Sequence, residues 1–354
     1  MSRFFSEKYS SLEPYTPGEQ PQGKKYLKIN TNESPFPPSP IASRLARQAA
    51  GDLQLYSDPT CRDLCAVAAQ TLGVKPEQLL FTNGSDDVLN FAFMAFCDQT
   101  HPVVFPDVTY GFYPVFAALH RIPYEEIPLS DDFTVNVEDY CGIGKTVFLA
   151  NPNAPTGIAL SRKAIERIVA SNPDNVVVVD EAYVDFGAES AVPLIDRYEN
   201  LLVCQTTSKS RSLAGGRLGY AIGNEELIRD LNTLKYSTNP YNINRMTMAA
   251  GIGAFADTRY FEENCKKIIK TRENTVKELE KRGFSVLPSS SNFLFATHPE
   301  IGGEDLYRAL KERDVLIRHF SADRLDDYNR ITVGSDEQMA AFFTELDAVL
   351  EEWL

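Results

Sequence analysis

The stretch Thr206–Tyr220, TTSKSRSLAGGRLGY, holds the residues best suited to chemistry. Lys209 stands among small hydroxyl residues with Ser208 beside it, and Arg217 follows eight residues later behind Gly215 and Gly216. A primary amine on a flexible stem condenses with an aldehyde once its neighbours favour the neutral form. A hydroxyl and a guanidinium close by suit a bound phosphate. The stretch therefore reads as an imine-forming amine beside a phosphate. Taken alone, a solvated lysine in a Ser-rich turn is the simpler reading, so other segments must supply the rest of a site.

Those segments are legible. Leu201–Gln205, just ahead of Lys209, reads as a buried strand. Val176–Val179 is four valines in a row, the pattern of a central strand covered on both faces. Asp180 ends it, and a carboxylate there is costly unless a cation or donors meet it. Tyr183 follows three residues on. Thr146–Ala150 is another buried strand, leading into Asn151-Pro-Asn-Ala-Pro-Thr-Gly157 and thus Asn153. Leu79-Leu80 precedes Phe81-Thr-Asn-Gly-Ser-Asp-Asp87 and an apolar helix over Val88–Phe96. A strand, a small-residue turn and a helix start can bind phosphate, because free backbone amides point outward there. Asn83, Gly84 and Ser85 supply the close approach, although an ordinary turn with Asp caps fits equally well. Val103–Phe105 is a short strand, and Tyr110 lies just beyond it at the opening of the next helix. Ligands collect at such strand ends, and core packing is the alternative for that ring.

Strand, loop and helix repeat, which predicts a mainly parallel sheet with helices on both faces, an α/β fold. Asn153, Asp180, Tyr183 and Lys209 all fall just past strand C-terminal ends, and this convergence from separate segments is more specific than any one motif. Residues 1–30, with Pro14, Pro17 and Pro21, read as an extended arm that needs a partner to order it. Helices are predicted from an Ser39 cap and Pro40 to about Ala50, over Thr60–Leu72, Ser161–Ala170, Glu225–Leu234 and Thr258–Lys281. Leu218–Gly223 reads as a further strand. Short strands over Phe284–Leu287, Asn292–Ala296, Val315–Phe320 and Arg330–Val333 then alternate with helices at Glu304–Glu312 and Asp336–Trp353. The expected division is an arm over 1–30, a large domain over 31–250 and a smaller α+β domain over 251–354.

The chain has 354 residues and a net charge of −14. That charge argues against nucleic acid or an acidic membrane as a general partner. Any anionic ligand must be held by local arginines. The six cysteines are scattered, as free thiols in a reducing compartment would be. The four histidines lack ligand spacing, so no metal site is expected. No run of 18 apolar residues occurs and the N-terminus lacks an apolar leader core, so a cytoplasmic protein is expected.

Asn32-Glu-Ser-Pro, Asn153 with Pro155-Thr-Gly, Asp180-Glu-Ala-Tyr183, Ser208-Lys209 and Gly216-Arg217 resemble the fold-type-I pyridoxal-phosphate-dependent aminotransferases. Within that superfamily, the Pro14-Tyr15-x-Pro-Gly arm and Tyr110-Gly-x-Tyr113 are similar to the histidinol-phosphate aminotransferases. The resemblance spans Tyr15 to Arg330 and implies pyridoxal 5'-phosphate as cofactor. It implies Lys209 as the amine that joins the cofactor and later moves the proton. Asp180 would pair with the ring nitrogen. Asn153 and Tyr183 would donate to the phenolic oxygen, and Tyr110 would stack on the ring. The phosphate would rest on the amides of Gly84, Ser85 and Asp86, with Thr206, Ser208 and Arg217 completing the cup. Tyr56 would reach the phosphate in a second subunit, which implies a homodimer with shared sites. Arg330 would hold a substrate carboxylate and Arg318 a substrate phosphate, with Tyr15, Asn242 and Asn292 as further pocket residues.

The chain departs from the pattern at Ala154, where a second asparagine is usual, and at Ser210, Arg211 and Gly216. The implied reaction is amino transfer between histidinol phosphate and 2-oxoglutarate in histidine biosynthesis. The same residues would also suit a threonine-phosphate decarboxylase, an aromatic aminotransferase or, more remotely, a non-catalytic sensor of the same fold.

Overall fold

The computed structural model describes residues 2–353. The arm carries one short 3-10 turn, Glu7–Tyr9, and then extended chain as far as β1 (Leu27–Lys28). Helix α1 (Pro40–Ala49) begins as predicted. Ser39 Oγ accepts from the Ala42 amide at 3.1 Å, and Pro40 takes the first position, where no amide is needed. Helix α2 (Arg62–Leu72) starts two residues later than expected, because Cys61 at its cap adopts the left-handed conformation, φ +50°.

The large sheet has seven strands: β2 (Leu79–Thr82), β3 (Val103–Pro106), β4 (Tyr124–Ile127), β5 (Thr146–Ala150), β6 (Val177–Asp180), β7 (Leu201–Thr206) and β8 (Gly219–Gly223). Their order is β2-β8-β7-β6-β5-β3-β4. Neighbours are parallel except at β8, which runs antiparallel to both β2 and β7. Connecting helices α3 (Ser85–Phe96), α4 (Phe112–His120), α5 (Arg162–Ser171) and α6 (Glu225–Thr238) cover the faces. Alternation along each strand divides the core in two. Val177, Val179, Leu201 and Val203 belong to one apolar cluster, and Val178, Leu202 and Cys204 to the other. Each fully buried aliphatic side chain contributes about 1.5–3 kcal/mol.

Two elements were not expected. Strand β4 is an edge strand of sequence YEEI whose first three residues are exposed, so no apolar pattern marks it. Helix α7 (Arg245–Ala256) packs on α1 and α2 through its glycines. A Cβ on Gly253 would stand 2.5 Å from the Ala42 backbone, and one on Gly251 would stand 2.5 Å from Leu218 and 3.0 Å from Leu64.

The smaller C-terminal α+β domain includes helix α8 (Thr258–Lys281), which packs into its core through Cys265, Ile268 and Leu279. It contains β9 (Ser285–Val286), β10 (Phe293–Thr297), α9 (Gly303–Glu312), β11 (Val315–Leu316), β12 (Arg318–His319), β13 (Tyr328–Thr332) and α10 (Asp336–Trp353). An antiparallel sheet runs β12-β13-β10-β9. The single strand predicted over Val315–Phe320 is split. β11 pairs in parallel with β1, while β12 joins β13. The stretch before α1 is thereby fastened to this domain: the Ile29 amide donates to Leu316 O at 3.0 Å, and the Thr332 amide to Ile29 O at 2.9 Å. Among the described residues, no helix is long and apolar enough to cross a membrane, and no cluster of side chains could hold a metal ion. All six cysteines are free thiols.

Candidate active site

A cavity of about 670 Å³ opens at the C-terminal ends of the parallel strands, roofed by the arm and the β12–β13 edge. Lys209 lies in its wall, on the loop after β7. The lysine Nζ donates to Thr31 O at 3.2 Å and stands 5.8 Å from the ring centre of Tyr183. Its neighbours anchor the loop. Ser210 Oγ donates to Asp185 Oδ2 at 2.5 Å, and Arg211 Nη1 to Ala254 O at 2.8 Å. The Arg211 guanidinium also lies over Phe255 and Phe261, at 4.4 and 4.0 Å from the ring centres. The departure at Ser210-Arg211 is thus a pair of buried struts that aim the lysine.

Asp180 ends β6 and borders the cavity. Tyr113 OH and the Ala182 amide each donate to it at 3.2 Å. Burial, only partly offset by those donors, holds its carboxyl up to about 7. A carboxylate so placed favours a cationic group against it, such as a protonated ring nitrogen. Tyr183 also lines the cavity, and its hydroxyl accepts from Asn32 Nδ2 at 3.0 Å.

The start of α3 forms one end of the cavity. Gly84, φ +91°, is its cap residue and no side chain caps the helix, so its first amides remain available to an anion. Close approach is built in, because a Cβ on Gly219 would stand 2.2 Å from the Ser85 nitrogen. Thr206 and Ser208 face this end with hydroxyls 2.9 Å apart. Arg217 Nη2 pairs with Asp86 Oδ2 at 3.0 Å and leans over Gly84. Tyr110 OH donates to Asp86 Oδ1 at 2.9 Å, and its ring meets that of Tyr113 edge-on at 5.8 Å. Amides, hydroxyls and a guanidinium thus converge where a phosphate would fit.

Arg318 and Arg330 also line the cavity. Arg330 Nη2 donates to Asn30 O at 3.1 Å, while its buried Nε has no partner among the described residues. Desolvation lowers its pKa from the ordinary guanidinium value. Tyr15 joins them from the arm, its ring stacked on Phe112 at 4.3 Å, and burial pushes its hydroxyl pKa up.

Four expected residues stand elsewhere. Asn153 does not face the cavity. Its Nδ2 donates to Val108 O at 2.9 Å and Thr156 Oγ1 at 3.2 Å, and its Oδ1 accepts from Thr109 Oγ1 at 2.8 Å. Both amide protons are committed to the scaffold, and Ala154 presents the loop's face instead. Asn292 is fully buried behind the wall, where its Nδ2 donates to Asn32 O at 2.9 Å. Asn242 lies between α6 and α7, outside the cavity lining, and neither of its buried side-chain polar atoms has a partner among the described residues. Tyr56 projects outward, 80 % exposed, stacked on Tyr241 at 4.7 Å. Conversely, Thr31, Asn32 and Glu33 line the cavity, and Tyr113 supports Asp180. The Asn32-Glu-Ser-Pro and Tyr110-Gly-x-Tyr113 motifs contained these residues, but spacing alone assigned them no contacts.

Residues 24–346 match the model of the family "Aminotransferase class I and II". The chain belongs to that family. Relatives of this aminotransferase include the histidinol-phosphate aminotransferase of Marinomonas sp., 51 % identical over 350 residues and covering 98 % of this chain and 99 % of that one. The histidinol-phosphate aminotransferase of Brachyspira hyodysenteriae is 47 % identical over 353 residues, covering 99 % and 100 %. Among solved structures, the histidinol-phosphate aminotransferase of Sinorhizobium meliloti in complex with pyridoxal-5'-phosphate superposes with a TM-score of 0.89. It is 26 % identical and covers 100 % of this aminotransferase and 99 % of that chain.

Proposed function

We propose that this aminotransferase exchanges the amino group of histidinol phosphate with 2-oxoglutarate, using pyridoxal 5'-phosphate. One observation carries the reading: the cavity has a cationic end and an amide-lined end, with Lys209 and Asp180 between them. The amide-lined end suits the cofactor's phosphate. The Arg318–Arg330 end suits the anion of a substrate, whether a phosphate or a carboxylate. The near full-length similarity to histidinol-phosphate aminotransferases favours the phosphate-bearing amine as donor.

The residues fit the cofactor. Asp180, a buried carboxyl with no ion-pair partner among the described residues, would receive the protonated ring nitrogen. The uncapped start of α3, Ser208 and Arg217 would receive the phosphate. When bound, the cofactor supplies an electron-accepting ring that lets a proton leave the substrate's α-carbon. Lys209 then holds and returns that proton. Tyr183 orients a hydroxyl toward the ring edge, and Tyr110 closes one face. With Asn153 committed to the scaffold, Tyr183 serves the phenolic oxygen without it. Arg330 and Arg318 fix the substrate's far end, so that the α-hydrogen faces Lys209.

The chain acts as a homodimer in this reading. Leu53, Leu55, Tyr56, Tyr236 and Tyr241 are large apolar residues exposed on one side, where a second copy would cover them. Tyr56 would then reach its partner's phosphate end. The boundary expected at residue 250 falls inside α7, so we set it between α7 and α8 and end the arm where β1 joins the smaller domain. A cytoplasmic location suits the six free thiols.

The test mixes cofactor-loaded protein with L-histidinol phosphate alone. Stoichiometric conversion of the cofactor to its amine form, with release of the keto product, is the expected result. Inertness to that substrate with CO2 release from L-threonine phosphate would overturn the reading in favour of a decarboxylase. Conversion only with phenylalanine or tyrosine would overturn it in favour of an aromatic aminotransferase.

A further inference from the structure

Three consecutive residues touch the three side chains that the proposed reaction depends on. Asn30 O receives Arg330 Nη2 at 3.1 Å, Thr31 O receives Lys209 Nζ at 3.2 Å, and Asn32 Nδ2 reaches Tyr183 OH at 3.0 Å. Resting on the reading of the site given above, we propose that Asn32 is a positioning residue that couples the anion-binding end of the cavity to Tyr183 and Lys209.

The backbone at Asn32 is left-handed, φ +58°, and the residue is 1 % exposed. Such a conformation in a residue other than glycine costs on the order of 1–3 kcal/mol and persists where surroundings over-determine it. Those surroundings are one-sided. The Asn32 amide donates to Thr332 Oγ1 at 2.9 Å, Thr332 Oγ1 donates to Asn32 Oδ1 at 3.0 Å, and Asn292 Nδ2 donates to Asn32 O at 2.9 Å. Both partner residues, Thr332 and Asn292, belong to the smaller domain. The remaining hydrogen bond crosses to Tyr183, beyond β6 in the large sheet. Thr332 and Arg330 lie two residues apart on β13, so they share a face of that strand.

An anion bound at Arg330 competes with Asn30 O for the guanidinium. Displacing that carbonyl moves the 30–32 segment, and Asn32 travels with β13 through Thr332. The Asn32–Tyr183 and Thr31–Lys209 contacts then change together. Binding at Arg330 is thereby felt at Lys209 and Tyr183 through this short segment, with no rearrangement of the sheet itself.

Several ionisable groups surround Lys209 and Tyr183. They are Asp180 from β6, Asp86 from α3, Tyr110 and Tyr113 at α4, Tyr15 from the arm, Glu33, Arg217, and Arg318 and Arg330 from β12 and β13. Asn32 carries no charge, so its removal leaves this set intact. The effect of removing it is therefore a loss of coupling and not of a titrating group.

The experiment follows the absorbance of the lysine-bound cofactor against pH in loaded protein, with and without saturating glycerol 3-phosphate, a phosphate monoester that cannot react. In the unaltered protein the anion should move the titration midpoint by about one pH unit, equivalent to about 1.4 kcal/mol of coupling. By reciprocity, calorimetry should find the affinity for glycerol 3-phosphate changing about tenfold across the same pH range. Asn32→Gly keeps the left-handed backbone and removes the amide; Asn32→Ala removes the amide alone. In both, the midpoint shift should collapse while glycerol 3-phosphate still binds. A full shift retained in Asn32→Gly overturns the inference alone, even where Asn32→Ala does not fold. An unaltered protein whose absorbance does not titrate, or Arg330→Ala protein that binds the anion undiminished, overturns the reading of the site and the coupling with it.

Discussion

Arg318 and Arg330 are directly paired residues on the antiparallel strands β12 and β13, so two guanidinium groups face one cavity. Arg330 meets the carbonyl of Asn30 and the rings of Phe293 and Phe320, and Arg318 lies over Phe320. Neither is ion-paired among the described residues, so each raises the cost of the other until an anion arrives. Losing a hydrogen bond to a charged group costs about 1.5–3 kcal/mol. Arg330→Ala and Arg318→Ala should each raise KM for histidinol phosphate roughly 10- to 150-fold, with Arg330 the larger effect because it is the more deeply placed. Steady-state kinetics with both substrates checks this.

Lys209→Ala should lower turnover by about 10^4-fold or more, the upper range for a positioned acid–base group. The absorbance of the lysine-bound cofactor should vanish while the fold survives by circular dichroism. Retained turnover would remove Lys209 from the chemistry.

Asp180 sets a pH signature in cofactor-free protein. Its folded pKa is about 7, above the ordinary carboxyl value, so the folded state holds a proton that the unfolded state has lost between about pH 4 and 7. Stability from this group therefore falls as pH rises through that window. Glu181, buried beside Ser190, Ala191 and Gln205, titrates in the same window with the same sign. Asp180→Asn isolates the first. Without cofactor, the variant should be more stable than the parent at pH 8, by on the order of 3 kcal/mol, and equal to it near pH 4. Urea unfolding at the two pH values decides. With cofactor, the same variant should lose about 10^2- to 10^3-fold in turnover, the scale of a lost electrostatic stabiliser.

Asn153→Ala should leave the cofactor's absorbance and its pH midpoint close to those of the parent. Its cost is structural, about 1–3 kcal/mol for stranding Val108 O and Thr109, read as a lower melting temperature.

The proposed homodimer, with sites shared between subunits, predicts complementation. Chains carrying Tyr56→Ala and chains carrying Lys209→Ala, each weak or inactive alone, should regain activity when refolded together. A mixed dimer has one site with both residues intact. No recovery in a verified mixed dimer would place Tyr56 outside the site.

Much of this was legible because burial on both faces leaves an apolar signature. Val177–Val179 and Leu201–Val203 announce central strands, and the residues just past them, Asp180 and Lys209, inherit a predictable place. Strand β4 left no signature because Glu125 and Glu126 face solvent at an edge. The placement of the Asn153 amide was not legible, because spacing identifies a loop but not which way an amide turns. The loop's two asparagine amides are satisfied by the backbone of their own loop and its neighbours, and Ala154 takes the cavity-lining position. Asn32 stayed silent for the opposite reason. Its contacts lie 151 and 300 residues away, at Tyr183 and Thr332, and no local pattern encodes such distances.

Gly219 belongs to β8, which runs antiparallel to both of its neighbours in the large sheet, and a Cβ there would press to 2.2 Å on the nitrogen of Ser85 and 2.3 Å on the carbonyl carbon of Gly84. Any larger residue would wedge the strand away from the helix where the cofactor's anion is to be gripped. The rim that meets the substrate is made of side chains, and a lineage can exchange those one at a time. The grip beneath it is made of main chain, which mutation reaches only by breaking the packing. Descendants of this chain are thus free to change what they act on, while what they act with is inherited as a fixture.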